Sequence, residues 1–329
     1  MAEPRGATIM LVIGIDGGAT RTRALALDTS SWRCEGIVVN EGSNPVNTGA
    51  GASARVIRRV VDELLRLLGR GLGDVDLVLA GLAGLDSGMV KAEVEPLLRK
   101  HSGLGDKLVL EHDAYIALLS ATRGEPGVLV IAGTGSIVLG YDGENRVIMG
   151  DRGWLLGDEG SGFWIARLAL RRLRRALDGL APHDCLTLRL SESLGVHSSD
   201  ELMYWFYHHN RVNDIASTAL HVAEIADECQ PAREVVEKGA RILARLAARA
   251  ALLIGVGEVY GAGSLFRSKV FSETFRARLS RLSGARLVTS EVYPVLGALY
   301  EALRLTGYPG PEEVFTEPSL RRIASKLYH

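Results

Sequence analysis

The sequence contains one arrangement twice: an apolar strand, a glycine-rich turn and a second strand, followed by helices. The first copy, IGIDGGATRTRALALD, begins at Ile13, and the second, GVLVIAGTGSIVLGYD, begins at Gly127. Strand hairpins that alternate with helices predict a mixed α/β fold. The length of 329 residues fits two domains of about 150 residues each. We therefore expect two related α/β domains facing a cleft, which is where ligands usually bind.

Apolar periodicity predicts the remaining elements of both halves. In the first half, the segments IMLVIGID, RTRALALD and CEGIVVN predict three strands, followed by alternating helices and strands up to Gly124. The helix SGMVKAEVEPLLRKH should break or kink near Pro96. In the second half, residues 187–255 are predicted to be almost wholly helical. The predicted domains are 8–124 and 125–305, with a C-terminal segment, 306–329, that packs back as a helix.

Charge and cysteine content argue against several classes of protein. The formal net charge of −1 gives no basic field that would attract nucleic acid or an anionic membrane. We find no run of the roughly 20 apolar residues that a membrane helix requires. The three cysteines, which are far apart and form no C-x-x-C, indicate neither a zinc site nor a disulfide framework: Cys34, Cys185 and Cys229. A cytoplasmic location is expected.

Both glycine turns combine glycine with a hydroxyl residue. DGGAT spans Asp16 to Thr20, and AGTGS spans Ala132 to Ser136. Glycine lets the backbone approach phosphate oxygens, and successive N–H groups form an anion site. Asp16, at a strand end, can hold hydrated Mg²⁺. Either turn alone favours an ordinary β-turn, but the presence of one in each half favours binding of ATP.

The better-known nucleotide motifs are absent. The sequence has no G-x-x-x-x-G-K-[ST], and GTGSIV and GAGSLF lack the third glycine of G-x-G-x-x-G. A dinucleotide fold would also place its glycines between the first strand and a helix, whereas the first turn here leads into a strand. Neither a P-loop nor a dinucleotide-binding domain is therefore predicted.

Two acidic positions have both a chemical and a structural interpretation. Asp113, where the strand LVLEHD gives way to a helix, could be the helix N-cap or a general base for a substrate hydroxyl. In DRGWLLGDEGSGFWIA, Asp158 and Trp154 could hold a sugar, or Asp158 or Ser161 could simply cap the next helix. A third glycine cluster, Val259–Ser268, could receive adenosine or could be an ordinary turn.

In combination, these stretches resemble the acetate kinase–sugar kinase–Hsp70–actin superfamily. GDEGSGFWIA, EGSNPVN and EHDAYIAL are more specifically similar to the N-acetylglucosamine kinase-like branch, grouped with the BadF/BadG/BcrA/BcrD ATPases, and the resemblance runs from Ile13 to Leu299. It implies an α/β protein of two ribonuclease H-like (actin-like ATPase) domains, ATP and Mg²⁺ in the cleft, closure on a sugar, and a homodimer. No nucleic-acid or membrane partner is expected.

The resemblance assigns roles to individual residues. Asp113 matches the catalytic base, and Asp16 is the expected Mg²⁺ site. The expected sugar contacts are Asn44, Asp113, Ser136, Ile137, Gly153, Trp154 and Asp158. The expected ATP contacts are Gly17, Gly18, Thr20, Arg21, Gly133, Thr134, Gly135, Gly261, Gly263 and Ser264. Ile137 departs from the animal N-acetylglucosamine kinases, which carry Asn there, so the preference for an acetamido sugar is open.

The expected function is transfer of the ATP γ-phosphate to a sugar hydroxyl, with the 6-hydroxyl favoured. The alternative is an ATP-driven activator of a 2-hydroxyacyl-CoA dehydratase or benzoyl-CoA reductase system. Such activators hold an iron–sulfur cluster through thiolates at a glycine-rich loop. None of the glycine-rich motifs here contains cysteine, which favours the kinase.

Overall fold

The protein forms two compact units in a computed structural model that describes residues 9–85, 87–209 and 211–329. Of these residues, the first unit comprises those from 9 to 125 together with 291–329, and the second comprises those from 126 to 290. The sequence placed 291–305 in the second domain, and residue 8, its predicted start of the first, lies outside the described residues. Among the described residues, we find no helix with the length and apolarity to cross a membrane.

The first unit is built on a five-stranded mixed sheet. Its strands are β1 (Leu11–Gly17), β2 (Thr22–Asp28), β3 (Arg33–Val39), β4 (Leu77–Leu82) and β5 (Leu108–His112). They are ordered β3-β2-β1-β4-β5, with β1 antiparallel to β2 and parallel to β4. Its helices are α1 (Pro45–Thr48), α2 (Ala50–Leu68), α3 (Gly88–Ser102), α4 (Asp113–Thr122), α12 (Pro294–Leu305) and α13 (Pro318–Tyr328).

Both faces of this sheet are covered because its strands are apolar on both sides. In β1, Ile13 and Ile15 face the cluster formed with α2, whereas Val12 faces the cluster formed with α4, α12 and α13. Alternation along a strand produces these two faces. Helix α12 packs on β1 and α4, which is why residues 294–305 belong to this unit.

Helix α3 is continuous through Pro96, so the predicted break does not occur. Proline removes one N–H and leaves the carbonyl four residues earlier, that of Ala92, without its helical partner. Pro96 and Ala92 are both exposed. Water can therefore satisfy that carbonyl, and the helix tolerates the proline.

The second unit repeats the topology of the first. Its strands are β6 (Gly127–Ala132), β7 (Ser136–Tyr141), β8 (Arg146–Gly150), β9 (Glu258–Ala262) and β10 (Arg286–Val288), ordered β10-β9-β6-β7-β8. Its helices are α5 (Gly153–Leu156), α6 (Gly162–Leu177), α7 (Cys185–Leu194), α8 (Ser199–Tyr204), α9 (Val212–Glu224), α10 (Gln230–Ile254) and α11 (Lys269–Ser283). The predicted ribonuclease H-like fold is confirmed in both halves.

A disulfide joins Cys185 to Cys229, which the sequence analysis did not predict. Cys185 opens α7 and Cys229 immediately precedes α10; these helices pack together although the cysteines are 44 residues apart. Sequence spacing does not reveal such a pairing, because tertiary packing brings the two residues together. Disulfides are rare in reducing compartments other than those of hyperthermophiles. The cysteine content therefore no longer supports a cytoplasmic location.

Candidate active site

Parallel strands bring Asp16, the predicted Mg²⁺ site, and Asp113, the predicted catalytic base, to the same sheet edge. Asp16 of β1 pairs with Gly81 of β4, which pairs with Glu111 of β5, and Asp113 follows β5 directly. Because one strand lies between β1 and β5, the two backbones are about 10 Å apart. A nucleotide phosphate and an acceptor hydroxyl both fit within this separation.

Asp16 is a largely buried carboxyl, with 13% of its side chain exposed, and its environment disfavours ionisation. Burial raises its pKa to about 6, and the negative charge of Asp113 adds to the rise. Two contacts oppose the rise: the Tyr328 hydroxyl donates a hydrogen bond to Oδ2 at 2.7 Å, and Arg23 Nη1 lies 3.6 Å from the same oxygen. A cation bound here would restore the ionised form of the side chain.

The first glycine turn joins β1 to β2 and is held from behind by the EGSNPVN loop. Gly18 N–H donates to the Arg21 carbonyl at 3.0 Å, and Ser43 N–H donates to the Gly18 carbonyl at 3.1 Å. A Cβ on Gly42 would lie 2.1 Å from the Ala19 carbonyl oxygen, so this approach requires glycine. Thr20 and Arg21 remain exposed, and their predicted contacts with ATP stay predictions.

Asn44 has a structural role in addition to its predicted contact with a sugar. Its Oδ1 accepts from Val46 N–H at 2.9 Å and Asn47 N–H at 3.2 Å, which caps α1. The side chain is buried beside Gly84, where a Cβ would approach Oδ1 to 2.5 Å. The cap does not use the two hydrogens on Nδ2, which leaves them able to donate to a ligand hydroxyl.

Asp113 is the first residue of α4, and His112 takes the N-cap position that the sequence analysis considered for Asp113. The N–H of Ala114 is shared between His112 Nδ1, at 3.0 Å, and Asp113 Oδ1, at 2.7 Å. These two acceptors are 2.9 Å apart. The Asp113 side chain is 36% exposed, so it can reach a substrate, and the helix N-terminus favours its negative charge.

In the second unit, the GTG turn is locked against the start of α6. Gly133 N–H donates to the Gly135 carbonyl at 3.0 Å, which closes the turn. Gly162 N–H donates to the Gly133 carbonyl at 2.8 Å, and Phe163 N–H donates to the Thr134 carbonyl at 3.1 Å. These bonds fix the two turn carbonyls and leave Thr134 exposed.

Asp158 lies directly against this turn. It is buried, and its Oδ1 is 3.4 Å from the backbone nitrogen of Ser136, which donates to it. A Cβ on Gly135 would lie 2.9 Å from Asp158 Oδ2. Asp158 adopts a left-handed conformation, with φ of 54°, that non-glycine residues rarely hold unless the surroundings impose it. The Ser136 hydroxyl also donates to the Glu159 carbonyl. Asp158 and Ser136 thus join the AGTGS turn to the DRGWLLGDEGSGFWIA segment.

Trp154 is connected to the same turn through Phe163. The two rings meet edge to face with centroids 5.3 Å apart, and Trp154 stays 42% exposed on the short helix that begins at Gly153. An exposed aromatic face of this kind can pack on a sugar ring. Ile137 is buried in β7 opposite Ile131 and offers a ligand no hydrogen bond.

The third glycine cluster adjoins the second, because β9 pairs with β6. Gly263 has φ of 100°, and a Cβ there would lie 2.3 Å from the Ala132 carbonyl oxygen. A Cβ on Gly261 would lie 2.9 Å from the Phe266 ring, and Ser264 begins a 3₁₀ helix. The stretches predicted to hold adenosine and phosphate therefore lie side by side in one unit.

Two groups that contact Asp16, Tyr328 and Arg23, were not predicted from the sequence. Tyr328 is 312 residues from it, and no motif marks the position. Arg23 follows the DGGAT turn on β2, directly opposite Asp16, and the alternation of the hairpin could have indicated it.

Comparison with known proteins identifies the family. The sequence model of the BadF/BadG/BcrA/BcrD ATPase family matches residues 13–302, and the chain belongs to this family. It is 30% identical over 198 residues to an N-acetylmuramic acid/N-acetylglucosamine kinase of Clostridium acetobutylicum, covering 60% of this chain and 64% of that one. It is 26% identical over 315 residues to an N-acetyl-D-glucosamine kinase of Dictyostelium discoideum, covering 89% and 98%. The first alignment thus spans slightly less than two thirds of that relative.

Solved structures show the same fold. A protein of Chromobacterium violaceum provisionally named an N-acetylglucosamine kinase gives a TM-score of 0.72 at 24% identity, covering 89% of this chain and 99% of that one. A ROK family glucokinase from Streptomyces griseus gives 0.52 at 18% identity, covering 90% and 98%. The resemblance and the fold inferred from the sequence are both confirmed, while the roles of individual residues stay predictions.

Proposed function

We propose that this member of the BadF/BadG/BcrA/BcrD ATPase family is an ATP-dependent sugar kinase. Its substrate would be N-acetylglucosamine or a related hexose, phosphorylated at the 6-hydroxyl. The observation that carries the proposal is the placement of Asp16 and Asp113 at one sheet edge, beside an exposed glycine turn. The names of the relatives point to the same class of reaction.

In this reaction Asp113 accepts the proton of the sugar hydroxyl. The hydroxyl oxygen then forms a bond to the γ-phosphorus, and the bond from that phosphorus to the β,γ-bridging oxygen breaks, so ADP leaves with the electron pair. Backbone N–H groups and the hydroxyls of Thr20 and Thr134 donate to phosphate oxygens. Catalysis then rests mainly on positioning and charge neutralisation.

The chemistry of Asp16 fits Mg²⁺. This ion keeps several waters and is held by one or two carboxylates together with substrate phosphates. Asp16 offers one carboxylate whose ionisation is disfavoured by burial, beside the predicted phosphate turn. Bound there, Mg²⁺ would neutralise charge on the ATP phosphates.

Asp158, Trp154 and the Nδ2 group of Asn44 are proposed to hold the sugar. Asp158 accepts from sugar hydroxyls, and the exposed Trp154 ring packs on the apolar face of the sugar. Because Ile137 provides no hydrogen bond to an acetamido group, we propose that the protein also accepts hexoses with other groups at carbon 2.

The test is ADP release from MgATP with N-acetylglucosamine, glucosamine, glucose, mannose, N-acetylmannosamine or no sugar. Sugar-dependent release supports the kinase, and the product's ³¹P spectrum shows whether the 6-hydroxyl is the acceptor. ADP release that no sugar changes would overturn the kinase in favour of the ATP-driven activator. Broad visible absorption of the same sample would identify the iron–sulfur cluster of such an activator.

Asp113→Asn should lower kcat by about 10²–10⁴-fold while ADP still binds, because the amide cannot accept the hydroxyl proton. Asp106→Asn is the matched control, since that carboxylate is fully exposed just before β5 and pairs only at the surface with Arg99. Turnover by Asp113→Asn comparable to that of the control would remove Asp113 from the mechanism.

The homodimer, the cytoplasmic location and the lack of nucleic-acid or membrane partners stay predictions.

A further inference from the structure

Helix α13 ends at Tyr328, whose side chain is packed against the Asp16 carboxylate. The Tyr328 hydroxyl donates to Asp16 Oδ2 at 2.7 Å. Its ring packs on Tyr293 with centroids 5.7 Å apart, and the Arg23 guanidinium carbon lies 4.4 Å from the ring centroid. Arg23 Nε also donates to the Leu327 carbonyl at 2.8 Å, so the last turn of α13 is fixed to β2.

The hydrogen bond has a defined direction. Val295 N–H, in the first turn of α12 where backbone N–H groups have no helical partner, donates to the Tyr328 oxygen at 3.3 Å. A tyrosine hydroxyl has a single proton. Since Val295 donates to the oxygen, that proton is available to Asp16.

Two contacts of the Asp16 carboxylate engage the same oxygen. Tyr328 and Arg23 each approach Oδ2, so they restrict rotation of the carboxylate about its Cβ–Cγ bond. Mg²⁺ demands near-ideal octahedral geometry at short distances. A carboxylate fixed before the ion arrives loses less conformational freedom when it binds.

We propose that Tyr328 is a positioning residue that holds Asp16 in the orientation in which it receives the Mg²⁺–nucleotide complex. This inference rests on the proposed function, because it takes Asp16 as the magnesium site. Tyr328 does not touch the reacting atoms; it acts through Asp16. The packing of α13 within the first unit is thereby linked to nucleotide binding.

The test is calorimetric titration of the full-length protein with ADP, at several Mg²⁺ concentrations and without Mg²⁺. Tyr328→Phe keeps the ring and removes only the hydroxyl. We expect it to weaken Mg²⁺-dependent ADP binding about 10-fold, the equivalent of one hydrogen bond to a charged group, and to leave Mg²⁺-free ADP binding unchanged. Tyr308→Phe, which removes a hydroxyl from the same unit, is the control and should match the wild type.

A double-mutant cycle separates positioning from general stability. In an Asp16→Asn background, Tyr328→Phe should cause no further loss of Mg²⁺-dependent binding. Equal losses in both backgrounds, or a lowered melting temperature with unchanged Mg²⁺ dependence, would overturn the role of Tyr328. Removal of residues 328–329 provides a second variant with the same expected loss. If the wild type shows no Mg²⁺-dependent ADP binding, the proposed function and this inference both fail; if only Tyr328→Phe is unaffected, this inference alone fails.

Discussion

Asp16→Asn should stabilise the ligand-free protein at pH 8. Burial raises the pKa of Asp16 from 3.8 to about 6, so ionisation at pH 8 opposes the native state. A carboxyl whose pKa is raised on folding stabilises the native state fully at pH values below its pKa in the unfolded chain. This contribution is lost as the pH rises through about 6, the pKa in the native state. Asparagine stays neutral, and its Oδ1 can still accept from Tyr328.

The size of the effect follows from the pKa values. Each tenfold change in protonation equilibrium corresponds to about 1.4 kcal/mol. The rise in pKa from 3.8 to about 6 therefore means that ionisation of Asp16 destabilises the native state by about 3 kcal/mol at pH 8 and by about 1 kcal/mol at pH 4.5. The gain from Asp16→Asn should consequently be much larger at the higher pH.

Urea unfolding of the wild type and Asp16→Asn at both pH values measures the difference. Asp106→Asn, which changes a fully exposed carboxylate, is the control. Mg²⁺ and ADP together should raise the melting temperature of the wild type much more than that of Asp16→Asn, because ligands stabilise the state that binds them. A gain that is equal at both pH values, or a loss at pH 8, would refute the reasoning.

Two further predictions concern stability. The Cys185–Cys229 disulfide closes a loop of 44 residues, so Cys185→Ser should lower the free energy of unfolding by about 4 kcal/mol in urea titrations. Cys34→Ser is its control. A reductant should destabilise the wild type but not Cys185→Ser, and an equal effect of the reductant on both proteins would contradict the prediction. Gly297→Ala should cost about 3 kcal/mol, because its Cβ would lie 1.9 Å from the Ile116 carbonyl oxygen. Gly88→Ala, which meets no atom within 4 Å, should be neutral, and equal stability of these two variants would argue against the clash.

Local patterns in the sequence predicted most of the fold. The hairpin around DGGAT follows from two apolar strands joined by glycines, and its β1–β2 pairing is present. Helix α2 follows from the apolar spacing of residues such as Val56, Val60 and Leu64, all buried. Such patterns predict strands and helices because their apolar positions recur within a few residues of each other. Of the break or kink predicted near Pro96, the break is wrong, because solvent exposure, which the pattern does not reveal, makes the proline tolerable.

The candidate site was only partly predictable. The sequence placed Asp16 and Asp113 at strand ends, and the parallel order β1-β4-β5 then put them on one sheet edge. His112, and not Asp113, is the N-cap of α4, and this depended on side-chain geometry at the start of that helix. The left-handed backbone of Asp158 depended on its packing against the GTG turn.

The amino-acid sequence alone accounts for the repeated strand and helix pattern, the glycine turns and the chemical types of the site residues, because these depend on neighbours close in the chain. Packing of the folded chain is what joins Cys185 to Cys229, places α12 on the first unit and brings the Tyr328 hydroxyl to Asp16. These contacts join residues separated by tens to hundreds of positions. Their geometry and their desolvation exist only once the units have packed, so the pKa of Asp16 is a property of the fold.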